Sequence, residues 1–517
     1  MRKKNGTVTP ATTQKMDALR PPDSPACPPR LWPRSLVALV LLVALAAYGA
    51  FMFPRLGAVA GGSDSSGYLN NARLLAQRRV TVPARPVAGA EPLSVGAREP
   101  LGFHPSTDDT ALTPTYPTGF PLLILAATTF TTWTAAPNVV AGAHLLAGLL
   151  LTYLLARACG LRRPWAALAF LLLASSPLFP FIGLQAMSDV PALVWIAAAV
   201  LAALHARRHA AWAVAAGFAF GLAVLIRPTN ALALLPLALA LGGSWRRWLG
   251  FGLGGAPAAA FFAAYNHAAY GSMLATGYGN PGTDFSRHFF IGTLGHYVVW
   301  LPVLLTPVVL AGLALPFMRS LAPIPVRRVL LAWVAVFLGF FACYRFTSET
   351  WWYLRFLLPA FPALIIGALL VLQAITPRAR SLLWPASVWA LAACAIIAIG
   401  AGGMRSLRAL KSGRDESSYV EVSRWAQSHL PADAVIVCMQ NSGALFYYTD
   451  FALLRWDWVK PDDFRHIAAA NAAAPHPIYA LLQDFEVPTA FHHHLPGRWE
   501  VVDQVRNVTI WKLRPSS

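Results

Sequence analysis

Charged residues are scarce in this chain of 517, at 12% of the total, where soluble proteins carry roughly a quarter. A domain with a solvated surface all round is excluded. Cysteine is rare too. Cys27, Cys159, Cys343, Cys394 and Cys438 are scattered without a Cys-x-x-Cys pair, which removes a disulfide-built secreted fold, a zinc knuckle and a dithiol redox centre. There is no Gly-x-x-x-x-Gly-Lys-Ser/Thr loop and no Gly-x-Ser-x-Gly elbow, so ATP-driven transport and serine hydrolysis have no support. What is abundant is apolar: 56% hydrophobic residues and a mean hydropathy of +0.52, gathered in long uncharged runs. That is the composition of a polytopic membrane protein. The net charge of +19 is distributed as short arginine clusters between those runs. Such spacing marks membrane orientation and excludes a nucleic-acid partner.

The apolar runs predict about eleven spans, near 35–53, 137–156, 164–181, 189–205, 210–226, 229–242, 248–268, 294–317, 329–346, 356–375 and 382–402. The first run has no small-residue cleavage site close behind it and reads as a retained span. With the N-terminus cytoplasmic, the cytoplasmic turns hold Arg157, Arg162 and Arg163; Arg207 and Arg208; Arg246 and Arg247; Arg319, Arg327 and Arg328; Arg378 and Arg380. That is the positive-inside pattern, and shifting the topology by one span would invert it. Three regions follow: a basic cytoplasmic tail, 1–34; a transmembrane region, 35–404, with a long outer loop at 54–120; and an outer segment, 405–517.

In the outer loop, Tyr68, Leu69, Ala72, Leu75 and Ala76 share one helical face, with Asn70, Asn71, Arg73 and Gln77 on the other. This predicts an amphipathic helix lying in the membrane interface. The apolar run 120–130 is too short to span and predicts a re-entrant or juxtamembrane helix. In the outer C-terminal segment, Val435–Met439 and Ile478–Leu482 read as buried strands, and 501–505 with 508–513 as a hairpin about Arg506-Asn507. Helical patterns at 417–430 and 461–473 alternate with them, predicting a small α/β domain.

The spans are nearly free of mid-depth charge, whereas a transporter is expected to place ionisable groups there. Instead Asp64, Asp189, Arg227, Arg345, Glu349 and Arg355 fall at outer span ends. Asp64 has two readings: an N-cap of the following helix, or a general base that takes a proton from an acceptor hydroxyl. Asp189 likewise reads as a cap of the fourth span or as a second functional acid. Arg227 and Arg355 are either interfacial anchors or guanidinium ligands of a lipid phosphate, whose oxygens match their fork. Glu349 reads as solvated, and Trp351, Trp352 and Tyr353 as an interface belt. His104 and the run His492-His493-His494 lack metal-ligand spacing and read as loop histidines.

Asp64-Ser65-Ser66-Gly67-Tyr68-Leu69, early in the loop after the first span, resembles the corresponding stretch of the GT-C glycosyltransferases. Within that superfamily the resemblance is to bacterial membrane enzymes related to protein O-mannosyltransferases and aminoarabinose transferases. Tyr116-Pro117-Thr118-Gly119-Phe120-Pro121 is similar to the family's Tyr-Pro-Pro-Gly-Tyr-Pro segment, and Ile226-Arg227-Pro228-Thr229 to its Arg-Pro-Thr turn. Tyr353-Leu354-Arg355-Phe356-Leu357-Leu358-Pro359 is similar to its Arg-Tyr-Leu-Leu-Pro segment, with Phe356 in place of the usual Tyr. Ser65 stands where many relatives have a second acid, and Thr118 where they have Pro.

The resemblance, over roughly residues 35–400, implies a GT-C-like polytopic α-helical membrane protein with a small extracytoplasmic C-terminal α/β domain. It implies transfer of a sugar, with inversion, from a polyprenyl-phosphate donor to a lipid, glycan or protein acceptor at the outer face of a membrane. In that reading Asp64 is the base and Asp189 orients the acceptor, while Tyr68, Tyr116, Arg227 and Arg355 bind the lipid phosphate and substrate. No metal-ligand set can be placed, and a divalent cation stays open as a cofactor. Alanine richness and the retained first span fit a bacterial inner membrane. A transporter or flippase of a lipid-linked saccharide, or a non-catalytic glycan-assembly factor, are the alternatives. The first would need a polar pathway, of which His144 and Gln185 are the available fragments.

Overall fold

The structure, a computed structural model, describes residues 34–279, 281–318, 324–376, 386–473 and 476–514. The basic tail expected over 1–34 lies outside them except for Arg34, as do Arg319, Arg378 and Arg380 of the cytoplasmic turns. Two compact units are distinguished, Met1–Ala47 and Tyr48–Ser517. The described part of the first is the apolar beginning of α1 (Arg34–Met52).

After α1 a long connection carries α2 (Ser63–Ala76), a two-stranded antiparallel ribbon of β1 (Phe103–Pro105) and β2 (Leu112–Pro114), and α3 (Gly119–Ala127). A helical bundle follows: α4 (Ala136–Ala158), α5 (Arg163–Ala174), α6 (Leu178–Gly183), α7 (Asp189–His205), α8 (Ala211–Ile226), α9 (Leu234–Leu241), α10 (Trp245–Tyr270), α11 (Phe290–Leu305), α12 (Ile324–Ala342), α13 (Phe361–Ile375) and α14 (Ala386–Ser406). Each apolar run read as a span is helical along most of its described length. Six helical segments among the described residues are long and apolar enough to cross a membrane, and four further apolar helices are shorter. Small residues let helices close in where no hydrophobic drive exists between lipid-facing surfaces. On α8 and α10, Cβ atoms added at Gly217 and Gly254 would lie 1.9 and 2.0 Å from the carbonyl oxygens of Phe251 and Val214.

The C-terminal part is α15 (Ser412–His429), β3 (Val435–Val437), α16 (Ser442–Tyr448), β4 (Ala452–Leu454), α17 (Pro461–Ala473), β5 (Ile478–Gln483), α18 (Val487–His493), β6 (Trp499–Val505) and β7 (Val508–Leu513). The sheet order is β4-β3-β5-β7-β6. β3 runs parallel to both neighbours, while β5–β7 and β6–β7 are antiparallel. Ile478–Gln483 is buried at every position because both sheet faces are covered. Val422 and Ala426 of α15 pack on one face, and Phe464 and Ile467 of α17 on the other. Val87, Ala90 and Ala97 of the long connection join that second core.

Two expectations need correction. Asp64 and Asp189 do not cap their helices: Gly62 and Ser188 occupy the N-cap positions, and no side-chain cap bond forms at either. The polar face of α2 is not turned to an interface. Asn70 and Asn71 are buried, the first donating to the Gly443 carbonyl at 3.1 Å and the second to that of Tyr116 at 3.4 Å. Distant chain segments cover this face, and a helical wheel carries no information about them.

Candidate active site

The site is assembled at breaks in helices, where backbone and side chains turn away from regular packing. Pro228 forces its predecessor out of the helical region. Arg227 is accordingly extended, at φ −148° and ψ 114°, and ends α8. Arg355 sits in a 3-10 stretch, Trp351–Ala360, entered through the extended Thr350. Asp64 lies in the first turn of α2, one residue beyond Gly61-Gly62 and Ser63. Asp189 opens α7, with Pro191 in a first-turn position that needs no donor.

These residues meet. Arg355 Nη2 lies 2.7 Å from Asp64 Oδ2, with the side chains 15% and 21% exposed. Arg227 Nη1 lies 2.6 Å from Asp189 Oδ1, and that acid is fully buried. Phe356 is shared between the two guanidiniums, whose Cζ atoms stand 5.1 Å (Arg227) and 5.2 Å (Arg355) from its ring centroid. A ring face between two like charges lowers their mutual cost, so the Phe in place of Tyr keeps the part of the ring that the arginines use. Tyr68 and Ser188 share a hydrogen bond of 2.7 Å, as do Tyr116 and Ser63. The Tyr68 and Tyr116 rings stand 5.1 Å apart.

Asp64, Tyr68, Tyr116, Arg227 and Arg355 line one cavity of about 360 Å³. Asp189 does not line it; it stands behind Arg227, with Oδ2 unpartnered among the described residues. Glu349 is not part of the lining. Several lining groups had no signal in the sequence. Tyr278, Asp284 and Phe285 come from the connection between α10 and α11, and Tyr344 and Phe346 from the segment after α12. Asp284 pairs with Arg345 at 3.6 Å, and Phe285 makes an antiparallel bridge with Tyr344. A further acid, Glu416 of α15, accepts from the Gly62 N–H at 3.2 Å. Its partner is 354 positions away, beyond any local pattern.

Burial pushes the Asp64 carboxyl up, but the Arg355 charge, a hydrogen bond from Tyr116 and the Arg227 charge outweigh it and hold the group below the usual carboxylate range. It is therefore a carboxylate throughout the neutral range. Burial, with the Asp64 charge next, pushes the Tyr116 hydroxyl well above its ordinary value, so it stays a donor. Burial pushes Glu416 up to about 7 against its bond from Gly62, and the nearby Asp64 and Asp415 charges add to the rise. Among the described residues no three His, Cys, Asp or Glu side chains are grouped to hold a metal ion. The cavity's carboxylates face arginines instead, a donor set that does not fit a cation.

Residues 138–256 match the family model for dolichyl-phosphate-mannose-protein mannosyltransferase. The match takes in Asp189 and Arg227 but neither Asp64 nor Arg355. No curated protein matches the chain in sequence. Among solved structures, ArnT from Cupriavidus metallidurans bound to undecaprenyl phosphate aligns over 92% of this chain and 97% of its own, at a TM-score of 0.54 and 16% identity. The arabinofuranosyltransferase AftD from mycobacteria aligns over 92% of this chain and 42% of its own, at 0.52 and 14%. The chain thus shares the fold of these solved structures, a multi-pass helical bundle with a small C-terminal sheet region.

Proposed function

We propose that the chain transfers a sugar from a polyprenyl-phosphate donor to an acceptor hydroxyl, at the outer face of a bacterial inner membrane, with inversion at the anomeric carbon. The observation that carries this reading is the convergence of one carboxylate, Asp64, with two guanidiniums, Arg227 and Arg355, around one cavity. The arginine clusters of the connecting turns support the outward orientation. The match to a mannosyltransferase family and the lipid phosphate bound in ArnT support the donor class.

Asp64 accepts the proton of the acceptor hydroxyl as its oxygen attacks the sugar carbon. The bond from that carbon to the phosphate oxygen breaks on the opposite side, and the lipid phosphate leaves carrying the charge. Arg355 and Arg227 stabilise the charge as it develops, in a partly dry cavity where such contacts are worth most. The ion pair with Arg355 sets the timing. While Arg355 is held by Asp64 the carboxylate is a weak base; as the leaving phosphate draws Arg355 towards itself, Asp64 gains proton affinity when the proton must move. Asp189 keeps Arg227 oriented from behind. Tyr68 and Tyr116 form an aromatic wall beside the base, suited to the apolar face of a sugar.

The test is incubation of purified protein with radiolabelled polyprenyl-phosphate sugars and an envelope extract. Release of free carrier together with a labelled covalent product supports transfer. Movement of intact donor across a vesicle membrane, with no bond broken, would assign the chain to translocation instead. Reporter fusions at the Glu91 turn and at Asp462, at the start of α17, test the orientation, and both should report the outer side.

A further inference from the structure

We propose that Glu416, delivered by the C-terminal α/β region, is a positioning residue for the transfer reaction: it fixes the first turn of α2 and thereby the carboxylate of Asp64. The inference rests on the role given to Asp64 above.

A helix start leaves its first N–H groups without partners and favours a negative charge nearby. In α2 neither need is met locally. Gly62 at the N-cap has no side chain, no cap bond forms, and the Asp64 carboxylate is turned to Arg355. The missing acceptor is Glu416 Oε2, 3.2 Å from the Gly62 nitrogen. The approach is so close that a Cβ added at Gly61 would lie 1.8 Å from the same oxygen. The surrounding contacts show that α15 and α16 are built onto the catalytic segment. A Cβ at Gly57 would fall 1.8 Å from the Gly413 carbonyl oxygen, and one at Gly443 would fall 2.1 Å from Ser66 Oγ. The Tyr448 hydroxyl accepts from the Ala60 N–H at 3.0 Å, and Ser412 Oγ donates to the Phe181 carbonyl at 2.8 Å.

Residues 57–62 thus bring almost no side chains of their own to this contact, and the C-terminal region supplies the grip. Glu416 is linked to the ion pair through Gly62 and Ser63 on one side of Asp64, and the Ser65 side chain, a second hydrogen-bond partner of Glu416, adjoins Asp64 on the other. Releasing the Gly62 N–H frees the first turn to rotate, and rotation carries Asp64 away from Arg355 and from the attacking hydroxyl. Reaction rates are sensitive to such displacements: about 1 Å of misplacement costs up to roughly 100-fold.

The experiment compares full-length Glu416→Ala, Glu416→Asp and Glu416→Gln in lipid nanodiscs, with labelled polyprenyl-phosphate sugar as the probe and rates expressed per donor-binding protein. Glu416→Ala is expected to lower kcat about 10- to 100-fold with donor KM nearly unchanged. Glu416→Asp keeps the charge but is one methylene too short to reach Gly62, and is expected to resemble Ala. Glu416→Gln keeps an acceptor oxygen at the same reach and is expected to restore kcat to within about threefold of wild type. A Glu416→Ala kcat equal to wild type overturns the proposal, as does a Gln variant as slow as Ala. An Ala variant whose lost activity is fully explained by lost donor-binding protein overturns it too, because that is a structural role only. Asp64→Asn run in parallel separates the two levels. If that variant is fully active the function of Asp64 itself fails; if it is inactive while Glu416→Ala is unimpaired, only the positioning role fails.

Discussion

Replacing Asp64 by Asn removes the carboxylate's charge and proton affinity while leaving its shape. The amide oxygen still accepts from Tyr116 and from Arg355, so the first turn of α2 keeps its place. What is lost is the general base, worth about 100- to 10,000-fold, or roughly 3–6 kcal/mol of barrier at about 1.4 kcal/mol per decade. Arg355 also loses its counter-ion. An unpaired charge in a dry interior costs about 3–5 kcal/mol; here Arg355 and Asp64 are 15% and 21% exposed and Arg355 still faces the Phe356 ring at 5.2 Å, so the stability loss is expected below that range. The variant should insert, purify and bind undecaprenyl phosphate at least as well as wild type, because the guanidinium is freed for the phosphate. Turnover is read by release of labelled carrier in single-turnover mixing, and binding by quenching of intrinsic tryptophan fluorescence. A chemical step within about threefold of wild type, far short of what a general base contributes, would refute the assignment of Asp64. Loss of phosphate binding in parallel with turnover would refute the exchange of Arg355 between carboxylate and phosphate.

Asp189→Asn leaves the almost fully buried Arg227 without its counter-charge and should lower the unfolding free energy by about 3–5 kcal/mol; thermal melts in detergent check this, and Asp189→Leu combined with Arg227→Met should recover stability but not transfer. Gly413→Ala places a methyl 2.3 Å from the Arg55 carbonyl oxygen and 2.7 Å from the Gly57 nitrogen, backbone atoms that cannot swing aside. A cost of roughly 1–3 kcal/mol and a large drop in transfer are expected, and a variant with wild-type melting and turnover would contradict the close docking of α15. Glu99 gives a pH test outside the bundle. Burial pushes its carboxyl up to about 7 despite Arg455, from an ordinary value of 4.5. The folded state therefore binds more protons than the unfolded chain between those values. Stability should fall as pH rises through that window, by up to about 3 kcal/mol. Glu99→Gln should remove the fall, raising the melting midpoint at pH 8 relative to wild type and not at pH 5; equal shifts at both pH values would contradict it.

The sequence by itself determined that this is a helical membrane protein, because long runs without charge have no other stable disposition, and arginines gathered in short turns mark one side. It also marked Asp64, Arg227 and Arg355, since charges at the ends of apolar runs are local anomalies that pattern and resemblance both register. Four of the five C-terminal strands were legible in the same way, Ile478–Leu482 as an apolar run of strand length; β4 (Ala452–Leu454), only three residues long, was not. Only the tertiary structure decided which charge meets which. Asp64 pairs with Arg355 and Asp189 with Arg227, so one acid faces the cavity while the other stands behind its arginine, although both looked alike as helix caps. The same holds for the buried face of α2, for Asp284 and for Glu416. Periodicity reports contacts made within a helix or strand, whereas these groups meet across separations from 38 residues (Asp189 and Arg227) to 354 (Gly62 and Glu416), and beside α2 the approach is made at glycines with no side chain to announce the partner.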